Sequence, residues 1–254
     1  MYFDSHAHYD DSRFKKDREY LLANLPGQGV SNIINIGACL DSSRASIALA
    51  ERYPYIHAAA GIHPHEVSTM QDSDIEALTQ LVSATNRLVA IGEIGLDFHY
   101  DNSPRDVQRH WFTNQLVLAR SLDMPVVIHS RDAAAETMKI IKDSGVKKGV
   151  MHCYSGHLPM ALEYIEMGYY ISISGVVTYK NAEKTKEVAA KIPLQNMLIE
   201  TDAPYLPPVP FRGKRNDSSL LKYVAEEIAA LRGITPEEVA ETTSENAKML
   251  FGVQ

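Results

Sequence analysis

Short apolar runs recur along the chain, and each is followed by a longer stretch whose apolar residues repeat at helical spacing. The runs Tyr2–His8, Asn32–Ala38, His57–Pro64, Leu88–Asp97, Pro125–Arg131, Gly149–Ser155, Tyr169–Gly175 and Met197–Pro204 predict strands. Between them, Ser42–Arg52, Asp74–Ala84, Arg105–Leu122, Ala133–Asp143, Pro159–Met167 and Ala182–Lys191 predict amphipathic helices. Near-continuous apolar strands separated by helices are the pattern of a parallel sheet covered on both faces. Eight strands in 254 residues fit a (β/α)8 TIM barrel, read as a single domain over residues 1–254 with its active site at the C-terminal ends of the strands. An open doubly wound sheet would also hold eight strands, but no GxGxxG follows the first one. Linkers are short and no composition shift marks a domain boundary. Ser218–Arg232 and Pro236–Phe251 read as two closing helices, the second opened by Thr235 with Pro236 at its first position.

Polar residues interrupt this pattern where the strands should end. "YFDSHAHYD" places Asp4, His6 and His8 at every second position, hence on one face of an extended chain. "GIHPH" brings His63 and His65 to the end of the third strand, and "AIGEIGLD" brings Glu93 and Asp97, of equal parity, to the fourth. "VVIHSRD" contributes His129 and Arg131, "GVMHCYSG" His152, and "MLIETDAPYL" Glu200 and Asp202. A single histidine closing a strand is ordinarily a hydrogen-bonded structural residue. Six strands ending this way would need a separate buried partner for each polar group, at several kcal/mol for any left unpaired. A metal centre satisfies them jointly. Imidazole and carboxylate without thiolate suit Zn²⁺, Mn²⁺, Fe²⁺ or Co²⁺, whereas Mg²⁺ prefers an all-oxygen shell. Four histidines, a glutamate and an aspartate exceed one ion's needs and would serve two, about 3.5–4 Å apart, bridged by a carboxylate and a water. Glu93 is the natural bridge. Asp202 would bind metal and accept a proton from the bridging water, sharing an ion with His6 and His8 if the first and last strands are neighbours.

The rest of the composition narrows the setting. A formal net charge of −7 argues against broad nucleic-acid binding, though not against a local basic patch at a phosphate. Cys39 and Cys153 are far apart, which excludes a disulfide framework or a CxxC metal site. No apolar run spans a membrane and the N-terminus lacks signal-peptide character, so a cytoplasmic protein is expected. Arg131, Arg212 and Arg215 are candidates to hold phosphates through bidentate guanidinium contacts. Tyr154, Tyr179 and Tyr205 would stack on a base or simply pack. Cys153, by alternation, points away from His152 and reads as an inert thiol. Asp4 would orient a ligand histidine or belong to the bottom of the barrel.

The ordered series "DSHAHYD", "GIHPHE", "AIGEIGLDFHYD", "PVVIHSRDA", "MHCYSG", "ISGVVTYKNA" and "IETDAPYLPPVPFRGKRN", running on to "SENAKMLFG", resembles the TatD family of metal-dependent hydrolases in the amidohydrolase-like superfamily. The resemblance implies a TIM barrel, one or two divalent ions (Zn, Mn, Mg, Co or Fe) and a deoxyribonuclease, 3′–5′ exonuclease-like, acting on DNA or another phosphoester. It carries metal-ligand roles to His6, His8, Glu93, His129, His152 and Asp202. His6 and His8 would hold one ion with Asp202 nearby, His129 and His152 the other, and Glu93 would bridge. His63 and His65 become residues behind the ligands or facing substrate, with Asp97 and Asp4 as supporting carboxylates. Phe211 stands where members often have a histidine, and Asp217-Ser218 where Glu-Pro is frequent. Two other readings share these residues: an amide or ester hydrolase, including deacylation of aminoacyl-tRNA, and a non-catalytic metal-dependent nucleic-acid-binding scaffold. No membrane and no obligate protein partner is implied.

Overall fold

Strands that are apolar on both faces require ladder partners at their edges and helices above them. In the computed structural model, which describes residues 1–253, eight strands form one parallel sheet in chain order. They are β1 (Tyr2–Ala7), β2 (Val30–Ile36), β3 (Ile56–Ala60), β4 (Leu88–Asp97), β5 (Val126–Arg131), β6 (Gly149–Met151), β7 (Tyr169–Ile173) and β8 (Met197–Ile199). Alternating with them are α1 (Arg18–Asn24), α2 (Leu40–Arg52), α3 (Asp72–Ala84), α4 (Arg105–Ser121), α5 (Ala134–Ser144), α6 (Leu158–Glu166), α7 (Glu183–Lys191) and α8 (Leu221–Arg232), with α9 (Pro236–Phe251) last. This is the (β/α)8 barrel architecture that the hydrophobic pattern predicts. Among the described residues no helix is long and apolar enough to cross a membrane.

The chain forms two compact units. The first comprises residues 1–35 and 152 onward, with β1, most of β2, β7 and β8. Its seam is a parallel bridge between Ala7 and Ala203. There the His8 N–H donates to Ala203 O at 2.7 Å and the Asp202 N–H to His6 O at 2.9 Å. The backbone carrying Asp202 is thereby laced to the backbone carrying the two histidines. Phe3 stacks on Phe251 of α9 at 6.2 Å, and the Asn246 amide donates to Leu194 O and Met197 O, both at 2.8 Å, anchoring the entry to β8. Phe3, Ile33, Ile171, Leu198 and Ile228 are buried, each stabilising the fold by roughly 1.5–3 kcal/mol.

The second unit, residues 36–151, carries β3 to β6. Ile94 lies opposite Ile128, Gly95 opposite His129 and Asp97 opposite Arg131. Gly95 has φ of 146°, and a Cβ there would stand 1.9 Å from His129 O. Only glycine permits this approach of β4 to the residue that presents the His129 ring. From α4, two glutamines seven residues apart share one helix face and hold strand-end backbone. Gln115 accepts from Ile62 N–H at 2.8 Å and donates to Ile62 O at 3.0 Å. Gln108 does the same for Asp97, at 2.8 and 3.1 Å. The segment bearing His63 and the end of β4 are fixed by these pairs.

Three strands stop four or five residues short of the apolar runs that predict them. β3 ends at Ala60, β6 at Met151 and β8 at Ile199, rather than at Pro64, Ser155 and Pro204. Cys153 and Asp202 take left-handed backbone, with φ of 43° and 57°, which no strand tolerates. His63, His65, His152, Glu200 and Asp202 therefore stand on segments leaving the sheet, while His6, Glu93 and His129 stand within strands.

Candidate functional site

In the first unit, one ligand atom from each of His6, His152 and Asp202 lies within 4.8 Å of the other two. The two-residue spacing in β1 delivers His6 and His8 to one side, and their Nε2 atoms are 3.1 Å apart. Asp202 Oδ1 lies 3.7 Å from His6 Nε2 and 3.5 Å from His8 Nε2. The His152 ring stacks on His6 with centroids 4.0 Å apart. Burial alone would raise the Asp202 carboxyl, but the His8 contact and the charges of His6, His152 and His8 overcome it and hold the pKa below the usual range. Asp202 is thus an ionised carboxylate ringed by imidazoles.

Two further carboxylates support this cluster. Glu200 is fully buried. Its Oε1 accepts from the Cys153 N–H at 2.9 Å and stands 3.2 Å from His152 Nδ1. Oε2 has no hydrogen-bond partner among the described residues. A proton on Nδ1, donated to Glu200, makes Nε2 the basic atom of His152. The alternation Glu200/Asp202 marks this glutamate in the sequence, but its partner is 48 positions away. Asp4 serves the backbone rather than an imidazole. Its Oδ1 accepts from Thr201 N–H at 2.9 Å and His6 N–H at 3.3 Å. Its Oδ2 accepts from the Thr201 and Ser218 hydroxyls, both at 2.6 Å. Burial pushes its carboxyl up to about 7 against those hydrogen bonds. It ties the end of β1 to the segment after β8, at the level of the cluster and not at the bottom of the barrel.

In the second unit, ligand atoms of His63, Glu93 and His129 lie within 4.8 Å of one another. Glu93 Oε1 is 3.0 Å from His129 Nδ1 and 3.6 Å from His63 Nε2. His63 thus joins the ligand candidates, where the family resemblance placed it behind them or toward substrate. Asp97 Oδ2 stands 3.1 Å from His129 Nε2 and 2.9 Å from His65 Nε2. Its Oδ1 accepts from the His99 and Tyr100 N–H groups at 3.0 and 2.9 Å. Burial would raise the Asp97 carboxyl, but hydrogen bonds from His129, Tyr100 and His65, with the charge of His129, hold it well below the usual range.

The other sequence candidates divide. Arg131 lies over the Tyr100 ring at 4.7 Å and Arg212 over Tyr179 at 4.2 Å. Arg215 is engaged elsewhere: both of its terminal nitrogens donate to Asp17, at 2.7 and 2.6 Å, and the guanidinium packs on Phe14. Tyr154 is buried and donates to His157 O at 3.0 Å, so it offers no face to a base. Tyr205 is exposed and lies beneath Arg13 at 4.0 Å. The Cys153 thiol faces Ser174 Oγ at 3.2 Å, and burial pushes it up to about 12, with Glu200 and Asp202 adding to the shift.

Imidazole nitrogens and carboxylate oxygens converging at these separations are the donor set of a first-row divalent ion. Held apart from such an ion, the same groups would leave several buried charges to be compensated by the fold alone. The residues present therefore fit divalent metal in each unit: His6, His8, His152 and Asp202 in one, His63, Glu93 and His129 in the other.

Comparison with known proteins agrees with this chemistry. A family model described as "TatD related DNase" matches residues 3–252. The uncharacterized metal-dependent hydrolase YabD of Bacillus subtilis is 43% identical over 255 residues, covering 100% of both chains. The 3′–5′ ssDNA/RNA exonuclease TatD of Citrobacter rodentium is 36% identical over 259 residues, covering 99% of this chain and 98% of the other. The solved structure of YjjV, a TatD homologue from Escherichia coli K12, superposes with a TM-score of 0.94 at 34% identity, covering 100% of this chain and 98% of that one. The chain belongs to the TatD family and is a metal-dependent hydrolase.

Proposed function

We propose that this hydrolase cleaves phosphodiester bonds of nucleic acid, removing nucleotides from the 3′ end of single strands. The observation that carries the reading is the pair of thiolate-free imidazole–carboxylate clusters, one in each unit, built around Asp202 in the first and Glu93 in the second. Its specificity for nucleic acid rests on similarity to a relative named as a 3′–5′ ssDNA/RNA exonuclease. Divalent ions bound by these residues would supply Lewis acidity toward a phosphoryl oxygen and lower the pKa of water.

The chain's own groups do the rest. Asp202, kept ionised by the surrounding imidazoles, orients the attacking water and takes its proton. Glu200 fixes the ring of His152, and Asp97 that of His129, each from the nitrogen turned away from the cluster acid. Arg131, whose guanidinium lies over the Tyr100 ring, holds a phosphate oxygen in this reading.

The test is a metal-reconstituted assay on single-stranded DNA with a free 3′ end, with Asp202→Asn and Glu93→Ala beside wild type. Wild type should release nucleotides and a chelator should abolish this. Asp202→Asn should lose roughly 10²–10⁴ in kcat, the contribution of a positioned general base. Wild type that is inactive on DNA and RNA but releases a carboxylate or amine from an ester or amide would overturn the reading.

A further inference from the structure

The first unit contains a second polar site, separate from the histidine cluster. After β7 the chain makes a 3-10 turn, Gly175–Thr178, and continues through Tyr179 to Ala182 before α7 begins at Glu183. The long loop after β8 packs against that turn. The Val209 N–H donates to Thr178 Oγ1 at 2.9 Å and the Tyr179 hydroxyl to Pro207 O at 3.0 Å. A Cβ on Gly175 would stand 2.4 Å from Leu206 O. Turn and loop are locked together. Between them opens a cavity of about 510 Å³, lined by Ser155, Tyr179, Lys180, Asn181, Lys184 and Arg212 among others. Its volume is that of a small-ligand site.

The charge of the cavity is its distinguishing property. Lys180, Lys184 and Arg212 surround it, and Glu183 is the only acid in the lining. None of the three cations has an ion-pair partner among the described residues, whereas nearby Lys186 pairs with Glu227, Lys191 with Glu187 and Arg215 with Asp17. In a chain of net charge −7, carboxylates to neutralise them are plentiful, yet this group is left without one. The Arg212 guanidinium carbon lies 4.2 Å over the centre of the Tyr179 ring, a contact that restrains the N–H fork it offers to an oxyanion. The lining is also tied to the histidine cluster. Ser155 follows His152 by three residues, and Cys153 Sγ contacts Ser174, which caps the 3-10 turn.

We infer that this cavity binds a backbone phosphate of a single-stranded nucleic acid other than the one being cleaved. This inference rests on the nuclease reading above and adds a substrate class to it: a polymer reaching past the cleaved bond, read by charge and not by base. The same chemistry would accept free phosphate, and the experiment separates the two sources.

The double variant Lys180→Gln/Lys184→Gln alters two exposed side chains and is compared with wild type, both metal-loaded. The substrates are a single-stranded oligonucleotide and bis(p-nitrophenyl) phosphate, a diester with no second phosphate to occupy the cavity. Oligonucleotide KM should rise by roughly tenfold or more at 0.1 M salt, and the slope of log(kcat/KM) against log[salt] should become shallower by about 1.4, near 0.7 per cation lost. The ratio of oligonucleotide to diester kcat/KM should fall accordingly. An unchanged oligonucleotide KM and salt slope overturns the inference, as does an equal loss on both substrates. Inorganic phosphate is then titrated into wild type and variant by calorimetry. Weaker phosphate binding by the variant, with oligonucleotide KM unmoved, assigns the cavity to free anion and also overturns it. Failure of the nuclease reading appears differently, as wild type that hydrolyses the diester but not the oligonucleotide, and it removes this inference with it.

Discussion

In the unit that carries β1, β7 and β8, Glu200 meets His152 at Nδ1, 3.2 Å away. In the unit that carries β3 to β6, Asp97 meets His129 at Nε2, 3.1 Å away. The parts are otherwise similar: a central acid among imidazoles, His6, His8 and His152 in the first unit and His63 and His129 in the second, with a buried second acid behind. The difference decides which nitrogen each histidine offers. His152 presents Nε2, and His129 presents Nδ1, the atom 3.0 Å from Glu93. The second acids also differ in wiring. Asp97 accepts two backbone N–H groups on one oxygen and two imidazoles on the other, so all of its acceptor positions are committed. Glu200 uses one oxygen for both contacts and leaves the other without a partner. One acid is locked in its orientation, and the other has slack.

The largest expected effect follows from that lock. In Asp97→Asn the two backbone N–H groups keep the amide oxygen in place, so the NH₂ must face His65 and His129. His129 can then only accept at Nε2, which moves its proton to Nδ1, the atom toward Glu93. The tautomer is inverted. Divalent-ion affinity should fall about 10–100-fold, the usual scale for groups that orient a ligand, measured by competition with a chromogenic chelator. A loss under threefold would break the comparison.

Glu200→Gln should cost less. Its amide oxygen can still accept from Cys153 N–H and from His152 Nδ1, so the tautomer is kept. The new NH₂ enters the space of the unpartnered oxygen, and a buried donor without an acceptor costs about 1–3 kcal/mol. The expected result is a lower Tm with metal affinity reduced by about tenfold or less. If Glu200→Gln proves worse for metal than Asp97→Asn, the assignment of slack to the first unit fails.

How much of this could be read from the chain varies with range. The barrel follows from periodicity, and His6, Glu93, His129, His152 and Asp202 are marked by polarity at the ends of apolar runs. Parity arguments hold only while a segment stays extended. They lapse at Cys153 and Asp202, where φ turns positive, and so the partnership of Glu200 with His152 is invisible in spacing. His63 illustrates the same limit from the other side. It stands beyond Ala60, where β3 ends, and bonds made after the strand hold it, Gln115 to Ile62 and the His63 N–H to Ala38 O at 2.9 Å. The roles of Asp4 and Arg215 depend on partners about 200 positions away, Thr201 and Asp17, and no local pattern announces such pairs. The short α1, with Leu22 its one buried side chain, has too narrow an apolar face to register as a helix.

The smallest effect should come from the thiol that stands beside the first unit's cluster, Cys153. Cys153 adjoins His152, and its N–H is one of the two groups that hold Glu200, so the residue acts through its backbone. The side chain points to Ser174, and burial raises it to about 12, leaving about one thiol in 10⁴ ionised at pH 8. Cys153→Ala keeps the backbone donor and the Cβ at the same positive φ, and removes only the sulfur. Activity should stay within about twofold, and iodoacetamide should label native Cys153 far more slowly than the unfolded chain. A tenfold loss of kcat in Cys153→Ala, with metal content and Tm intact, would mean that the sulfur takes part in the chemistry. The two units would then differ in kind and not only in wiring.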